Sequence, residues 1–149
     1  MAGKKSAPRK RILYSRVREG REGGETATAD AIGRIREGIH WGMVQRCQED
    51  FEIRDNELAK IIGVSDRTLT RVRKSAARLN PVASDRFYRS ARILRLAAEV
   101  FEDLPRAVRW LQREQPGLDG KVPLALLDTE PGAQAVETLL RQLEYGVLP

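Results

Sequence analysis

The chain has one cysteine, Cys47, and one histidine, His40, in 149 residues. A single thiol can neither close an internal disulfide nor build a cysteine-rich zinc site, which fits a reducing compartment. His40 lies beside Trp41 with no neighbouring Cys, Asp or second His to complete a ligand set, so nucleophilic and metal chemistry have little material. Apolar runs of about 18 residues, long enough to span a bilayer, are missing too. The N-terminus is basic without the apolar stretch of a signal peptide. A cytoplasmic protein that does not engage membranes is expected. No strand-like alternation of useful length occurs anywhere. What remains is an all-α chain of roughly seven or eight short helices.

Charge is plentiful, and it is unevenly placed. Residues 1–22 carry eight Lys/Arg against Glu19 and Glu22. Residues 53–79 carry seven bases against three acids, and residues 80–95 four arginines against Asp85. Residues 96–149 reverse the balance, with five bases and nine acids. A basic middle suits a polyanion and an acidic end suits a basic protein surface. Solvated helix faces alone give the same split.

The stretch that organises the chain is NELAKIIGVSDRTLTRVRK, residues 56–74. Leu58, Ala59, Ile61 and Ile62 make an apolar helical ridge, and small Ala59 suits a close helix crossing. Gly63 breaks the helix at a turn that favours positive φ. Ser65 can cap a second helix by accepting from the amide of Arg67 or Thr68. Leu69 and Val72 give that helix a buried stripe, leaving Arg67, Thr70, Arg71, Arg73 and Lys74 to face away. Two short helices joined by a glycine turn, the second one basic, form a helix-turn-helix. An ordinary helical hairpin with a solvated basic face has the same pattern. The expected DNA-binding set is Ser65, Arg67, Thr68, Thr70, Arg71 and Lys74, with Arg67 or Arg71 reaching guanine edges and the others phosphates.

Ahead of this stretch, residues 1–25 read as a disordered basic tail, either an arm on DNA or inert. Thr28 or Asp30 can cap a helix carrying Ala31, Ile32 and Ile35, which Gly38 ends. Ile39, Met43, Val44 and Cys47 then recur at helical spacing as far as Phe51, with Cys47 a core thiol. Beyond it, Asn80-Pro81 is an N-cap followed by proline at the first helical position. Phe87, Ala91, Leu94, Ala98 and Phe101 form one face of a long helix ending near Glu102. Arg86, Arg89, Arg92 and Arg95 form a stripe that either approaches DNA or keeps the helix soluble. Asp103-Leu104-Pro105 opens a helix with Ala107, Val108, Trp110 and Leu111, stopped by Pro116-Gly117. A tight turn follows at 118–121, then an apolar turn from Pro123 through Leu127. Thr129 caps the last helix, carrying Ala133, Val136, Leu139, Leu140 and Leu143, with Gly146 as its stop.

Residues 100–147 contain Val100-Phe101, Ala107, Trp110-Leu111, Leu118-Asp119-Gly120, Pro123-Leu124 and Leu127-Asp128-Thr129. Gly132-Ala133, Val136-Glu137, Leu140 and Glu144-Tyr145-Gly146-Val147 complete the series. In this order they resemble the toxin-binding domain of the Xre/ParS/MbcA antitoxin family, which pairs it with an Xre-like helix-turn-helix. The front half is similar as well, through residues 35–39 and through Leu79-Asn80-Pro81 and Ser84-Asp85-Arg86. Three positions depart from the family pattern. Val82 and Ala83 stand where glutamates usually follow the junction proline, which removes a capping-box partner. Arg54 stands where a capping Ser or Thr is typical, so Asp55 is expected to take over as cap.

The resemblance implies three regions. These are the tail (1–25), an Xre-like DNA-binding and dimerisation domain (26–80), and a toxin-binding domain with the long junction helix (81–149). It implies a non-enzymatic antitoxin of a type II toxin–antitoxin operon, with no cofactor of its own. The partner would be a RES-domain toxin encoded next to it, which consumes NAD by ADP-ribosyl transfer or by cleavage. Operator DNA would be the second ligand, bound by a homodimer or by two antitoxins with two toxins. An NAD pocket must hold two phosphates and so gathers Arg or other donors, and the acidic C-terminal module would screen that mouth. The expected toxin contacts are Leu118, Asp119, Lys121, Asp128, Glu137, Arg141, Glu144, Tyr145 and Val147. Tyr145 could equally pack as a C-terminal staple. A free-standing regulator whose C-terminal helices dimerise or sense a ligand would also explain the basic centre. A nuclease would have only Asp119, Asp128 and Glu130 to work with, and they look like turn and cap residues.

Overall fold

A computed structural model describes residues 24–146. The expectations placed on residues 1–23 and on Val147 lie outside them. Seven α-helices occur in chain order among the described residues. They are α1 (Gly24–Glu37), α2 (Trp41–Asp50), α3 (Asp55–Ile62), α4 (Asp66–Ser75), α5 (Pro81–Phe101), α6 (Leu104–Leu111) and α7 (Glu130–Glu144). Two single 3₁₀ turns, Pro116–Leu118 and Pro123–Leu126, join α6 to α7. No strand forms among these residues, only the isolated bridges His40–Arg78 and Gln115–Lys121. The expected all-α class is correct. Helix α1 starts at Gly24, ahead of the Thr28 or Asp30 cap expected from sequence. Among the described residues, 24–34 fall in one unit and 35–146 in another.

Helix α5 is the axis of the second unit. Asn80 caps it by accepting from the Ala83 amide at 2.8 Å, and Pro81 occupies its first position. At 21 residues it runs about 31 Å. It packs against α7, α6 and α3, so apolar residues are needed on more than one side. Phe87, Leu94 and Ala98 of the expected face are buried, and so are Ile93, Leu96 and Ala97 beside them. Each fully buried Leu or Ile side chain stabilises the fold by about 1.5–3 kcal/mol. Two buried serines on this helix are hydrogen-bonded. Ser84 accepts from the Ile39 amide at 2.9 Å and donates to the Leu79 carbonyl, while Ser90 donates to the Leu127 carbonyl.

Three readings need correction. Met43 is half-exposed, because Trp41 takes the inward position on α2 together with Val44 and Cys47. Helix α6 ends at Leu111, before Pro116-Gly117; the Gln112 side-chain amide donates to the carbonyls of Phe51 and Glu52. Asp55 does not cap α3. Arg54 holds the cap position, and the Glu57 carboxylate accepts from its amide at 3.0 Å.

Candidate nucleic-acid and partner interfaces

The α3–α4 pair is built as its local sequence dictates. Gly63 ends α3 in the left-handed region at φ 70°. A Cβ there would meet only the end of the flexible Arg86 side chain, which can swing aside, so it is the left-handed backbone that calls for glycine. Ser65 then caps α4, its hydroxyl accepting from the Thr68 amide at 3.1 Å. Leu69 is buried and Val72 half-buried, against Leu58, Ala59, Ile61 and Ile62 of α3. Arg67, Thr70, Arg71 and Lys74 are exposed, as is Ser65, and Thr68 is half-buried. The Thr70 hydroxyl is already engaged, donating to the Asp66 carbonyl at 3.0 Å.

Arg73 departs from the expected outward face. Its guanidinium forks onto Asp55, with nitrogens 2.9 and 2.5 Å from the two carboxylate oxygens. Gln48 joins from α2, donating to Asp55 at 2.6 Å and accepting from Arg73 at 3.4 Å. The guanidinium carbon lies 5.4 Å from the centroid of the buried Trp41 ring. The arginine beside Asp55, with help from Gln48, holds that carboxyl down at about 2.

The C-terminal part presents a different surface. Residues 115–121 form a tight loop in which the Gln115 amide donates to the Lys121 carbonyl at 3.1 Å. Asp119 and Gly120 both adopt positive φ there. Thr129 caps α7 by accepting from Gly132 at 3.1 Å. Of the arginine stripe of α5, Arg86 lies against Gly63 in the turn between α3 and α4, and the other three are paired. Arg89 pairs with Glu130 at 3.1 Å and Arg92 with Glu137 at 3.3 Å, fastening α7 to α5, while Arg95 pairs within its own helix with Glu99. At the end of α7, Arg141 pairs with Glu144 at 3.2 Å and lies 3.9 Å from Glu137. Tyr145 is 76% exposed, so it does not pack as a staple within this chain.

Against known protein families, residues 30–97 match the antitoxin Xre-like helix-turn-helix domain. Residues 96–146 match the antitoxin Xre/MbcA/ParS C-terminal toxin-binding domain. The chain belongs to the Xre/MbcA/ParS antitoxin family. Among curated relatives, "Antitoxin Xre" of Yersinia enterocolitica is 36% identical over 61% of this chain and 62% of its own length. "Antitoxin Xre" of Photorhabdus laumondii is 27% identical over 76% of this chain and 78% of its own. A third, "Antitoxin Xre" of Pseudomonas putida, is 38% identical over 42% and 40%. The aligned part thus spans less than two thirds of the Yersinia protein. The helix-turn-helix match runs through Ala97 and takes in most of α5, the helix that the sequence reading gave to the second domain.

In this antitoxin-family chain, the residues singled out from sequence fall into two separate groups. Ser65, Arg67, Thr68, Thr70, Arg71 and Lys74 all belong to α4 and its cap. Of the C-terminal set, Asp119, Lys121, Asp128, Arg141, Glu144 and Tyr145 are exposed and Glu137 is half-buried, with Glu137 and Glu144 both in ion pairs. Leu118 is a correction. It is 7% exposed and belongs to the core, so it shapes the loop and offers nothing to a partner. The acids considered for catalysis are dispersed in role: Glu130 pairs with Arg89, and Asp119 sits in the tight turn. A cleft of about 360 Å³ beside α4 is lined by Thr68, Arg71, Ser75, Arg78 and apolar neighbours, with no carboxylate, thiol or imidazole. Among the described residues, no group of three His, Cys, Asp or Glu could hold a metal ion, and no helix is long and apolar enough to cross a membrane. The Arg73 cluster and the Arg89 and Arg92 pairs were missed from sequence. Their partners lie 18 to 45 residues away, and no local spacing announces them.

Proposed function

We propose that this chain is the antitoxin of a type II toxin–antitoxin pair and neutralises a RES-domain, NAD-consuming toxin. The observation that carries the reading is the match to a toxin-binding domain along residues 96–146. The names of the three relatives support it. In this reading the end of α7 carries the contact. Glu144 and Tyr145 lead, with Asp119, Lys121, Asp128, Glu137, Arg141 and Val147 around them. A pocket that binds a dinucleotide presents cationic donors to phosphate. An acidic helix end with an exposed tyrosine can compete for those donors while the ring covers apolar surface. Inhibition then requires no chemistry from the antitoxin, only occupation of the pocket mouth.

The same reading makes α4 the operator-reading helix of a homodimer, within a complex of two antitoxins and two toxins. Arg67 and Arg71 would read bases, with Ser65, Thr68, Thr70 and Lys74 on the backbone. Two such helices would lie about 34 Å apart, on half-sites one turn apart. Co-expression with the adjacent open reading frame tests the proposal. The neighbour should arrest growth alone, be harmless together with this chain, and co-purify with it. A harmless neighbour that forms no complex would remove the antitoxin reading.

A further inference from the structure

Of the basic residues on α4, Arg73 behaves unlike the rest. At about 100° per residue, Arg67, Arg71 and Lys74 lie roughly 140–200° around the helix from buried Leu69. Arg73 lies only about 40° from it, on the inward side. Its guanidinium is bonded to Asp55 through two nitrogens and to Gln48 through one, and covers the face of Trp41. Those partners come from the first residue of α3 and from both ends of α2. Gln48 in turn donates to Asp55, so the three side chains close a ring of hydrogen bonds. Trp41 is tied to the segment just past α4 as well, its backbone amide donating to the Ala77 carbonyl at 3.2 Å.

We propose that Arg73 is a positioning residue, which sets the angle of α4 against α2 and α3 through Asp55, Gln48 and Trp41 and makes no contact with DNA. This rests on α4 being the DNA-facing helix. The planar fork is what the site uses. Two parallel bonds to one carboxylate, with the guanidinium plane against an indole, fix rotation as well as distance, and a lysine ammonium cannot do that. The ring also consumes the Asp55 charge. An unpaired carboxylate beside a DNA-facing helix would repel phosphates. Paired, it adds nothing to the field that Arg67, Arg71 and Lys74 present.

Positioning and contact make opposite predictions. A phosphate contact releases counterions, so its loss lowers the slope of log affinity against log salt by about 0.9. A positioning residue changes affinity and leaves the slope alone. The measurement is binding of the full chain to a duplex of the region immediately upstream of its own gene, over a series of KCl concentrations. The variants are Arg73→Met, Asp55→Asn and the double variant, with Arg71→Met as the contact control. Arg73→Met and Asp55→Asn should each weaken binding by about tenfold, with the double variant no weaker than either, as expected of residues acting as one unit. All three should keep the wild-type slope, while Arg71→Met loses about 0.9. A lower slope in Arg73→Met, or tighter or unchanged binding in Asp55→Asn, overturns the proposal. Asp55→Asn keeps the arginine and nearly the same shape, so it decides alone should Arg73→Met fail to fold by circular dichroism. Failure of the unaltered chain to bind the duplex would overturn the DNA reading itself, and this inference with it. Binding with a lowered slope would overturn only the inference.

Discussion

Cys47 and Asp55 show how far a single side chain's surroundings can move its chemistry. Burial, reinforced by the nearby Asp50 carboxylate, pushes the Cys47 thiol up to about 12. The thiolate is the reactive form, so the folded chain should be inert to iodoacetamide at pH 8 and react at once in denaturant. Rapid alkylation of the folded chain would mean that α2 opens readily. Asp55 moves the other way, its carboxyl held at about 2 by Arg73 and Gln48. A depressed folded value means that its stabilisation is complete above about pH 4 and is lost as pH falls towards 2. Asp55→Asn should therefore be less stable than the unaltered chain at pH 7 in urea, and the gap should close as pH falls through that window. A gap independent of pH would place the effect in something other than the ionised pair. The caps at Ser65, Asn80 and Thr129 were legible in the sequence because each joins residues three apart. Arg73 read as an outward base because its partner Asp55 lies 18 residues back. Leu118 was expected at the interface because the toxin contact was placed on the 118–129 connection, yet its side chain is buried in the core.

At the scale of elements, the amphipathic stripe of each helix was legible, and the helix-to-helix fastenings were not. The rows at Leu58–Ile62 positions and along α7 follow the helical period, and period is a property of one segment. The Arg89–Glu130 and Arg92–Glu137 pairs depend on which helix lies beside α5, and that is decided by packing. Gly132 belongs here too. A Cβ at this position would fall 2.0 Å from the Leu126 carbonyl oxygen, a backbone atom that cannot swing aside. Gly132→Ala should therefore cost about 1–3 kcal/mol by overpacking, against the usual gain of alanine over glycine in a helix. Thermal melting checks the sign, and a stabilised variant would mean that the 123–126 turn can retreat. If α4 reads operator bases, Arg67→Ala or Arg71→Ala should weaken operator binding by about 1–3 kcal/mol, and unchanged affinity would take that arginine out of the contact set. For α7, Glu144→Ala with Tyr145→Ala should weaken toxin binding without lowering melting temperature. Tyr145 is exposed and Glu144 makes only a short-range surface pair, so a folding defect is not expected. Unaltered toxin affinity in a pull-down would move the interface elsewhere on residues 96–146.

For the whole molecule, the two family domains do not correspond to two cores. Their boundary, residues 96–97, falls inside α5, between side chains that are all buried. Leu96 and Ala97 belong to one apolar cluster with Leu58, Ile62 and Leu69 on one side and Val136, Leu139 and Leu140 on the other. Contacts of α5 with α3, α6 and α7 distribute that cluster along a single helix. Cutting the chain after residue 95 would leave residues 81–95 of α5 on one fragment and 96–101 on the other and expose apolar surface on both, at about 25 cal/mol per Å². Residues from Ile35 onward should therefore unfold in one calorimetric transition, with the calorimetric enthalpy equal to the van't Hoff enthalpy. At about 0.7 kcal/mol per residue near 60 °C, that enthalpy should be on the order of 80 kcal/mol. Fragments 1–95 and 96–149 should each lack a cooperative transition and regain one when mixed. Two resolved transitions in the intact chain, or a cooperative melt of either fragment alone, would show that the modules fold independently. A single transition has a functional corollary. A partner bound to the C-terminal module stabilises the same core on which α3 and α4 are seated, by RT ln(1 + [L]/Kd) of the partner. Toxin binding should then raise the melting temperature reported from Trp41, beneath α4, as much as that reported from Trp110 on α6, and separate shifts at the two indoles would contradict a shared core.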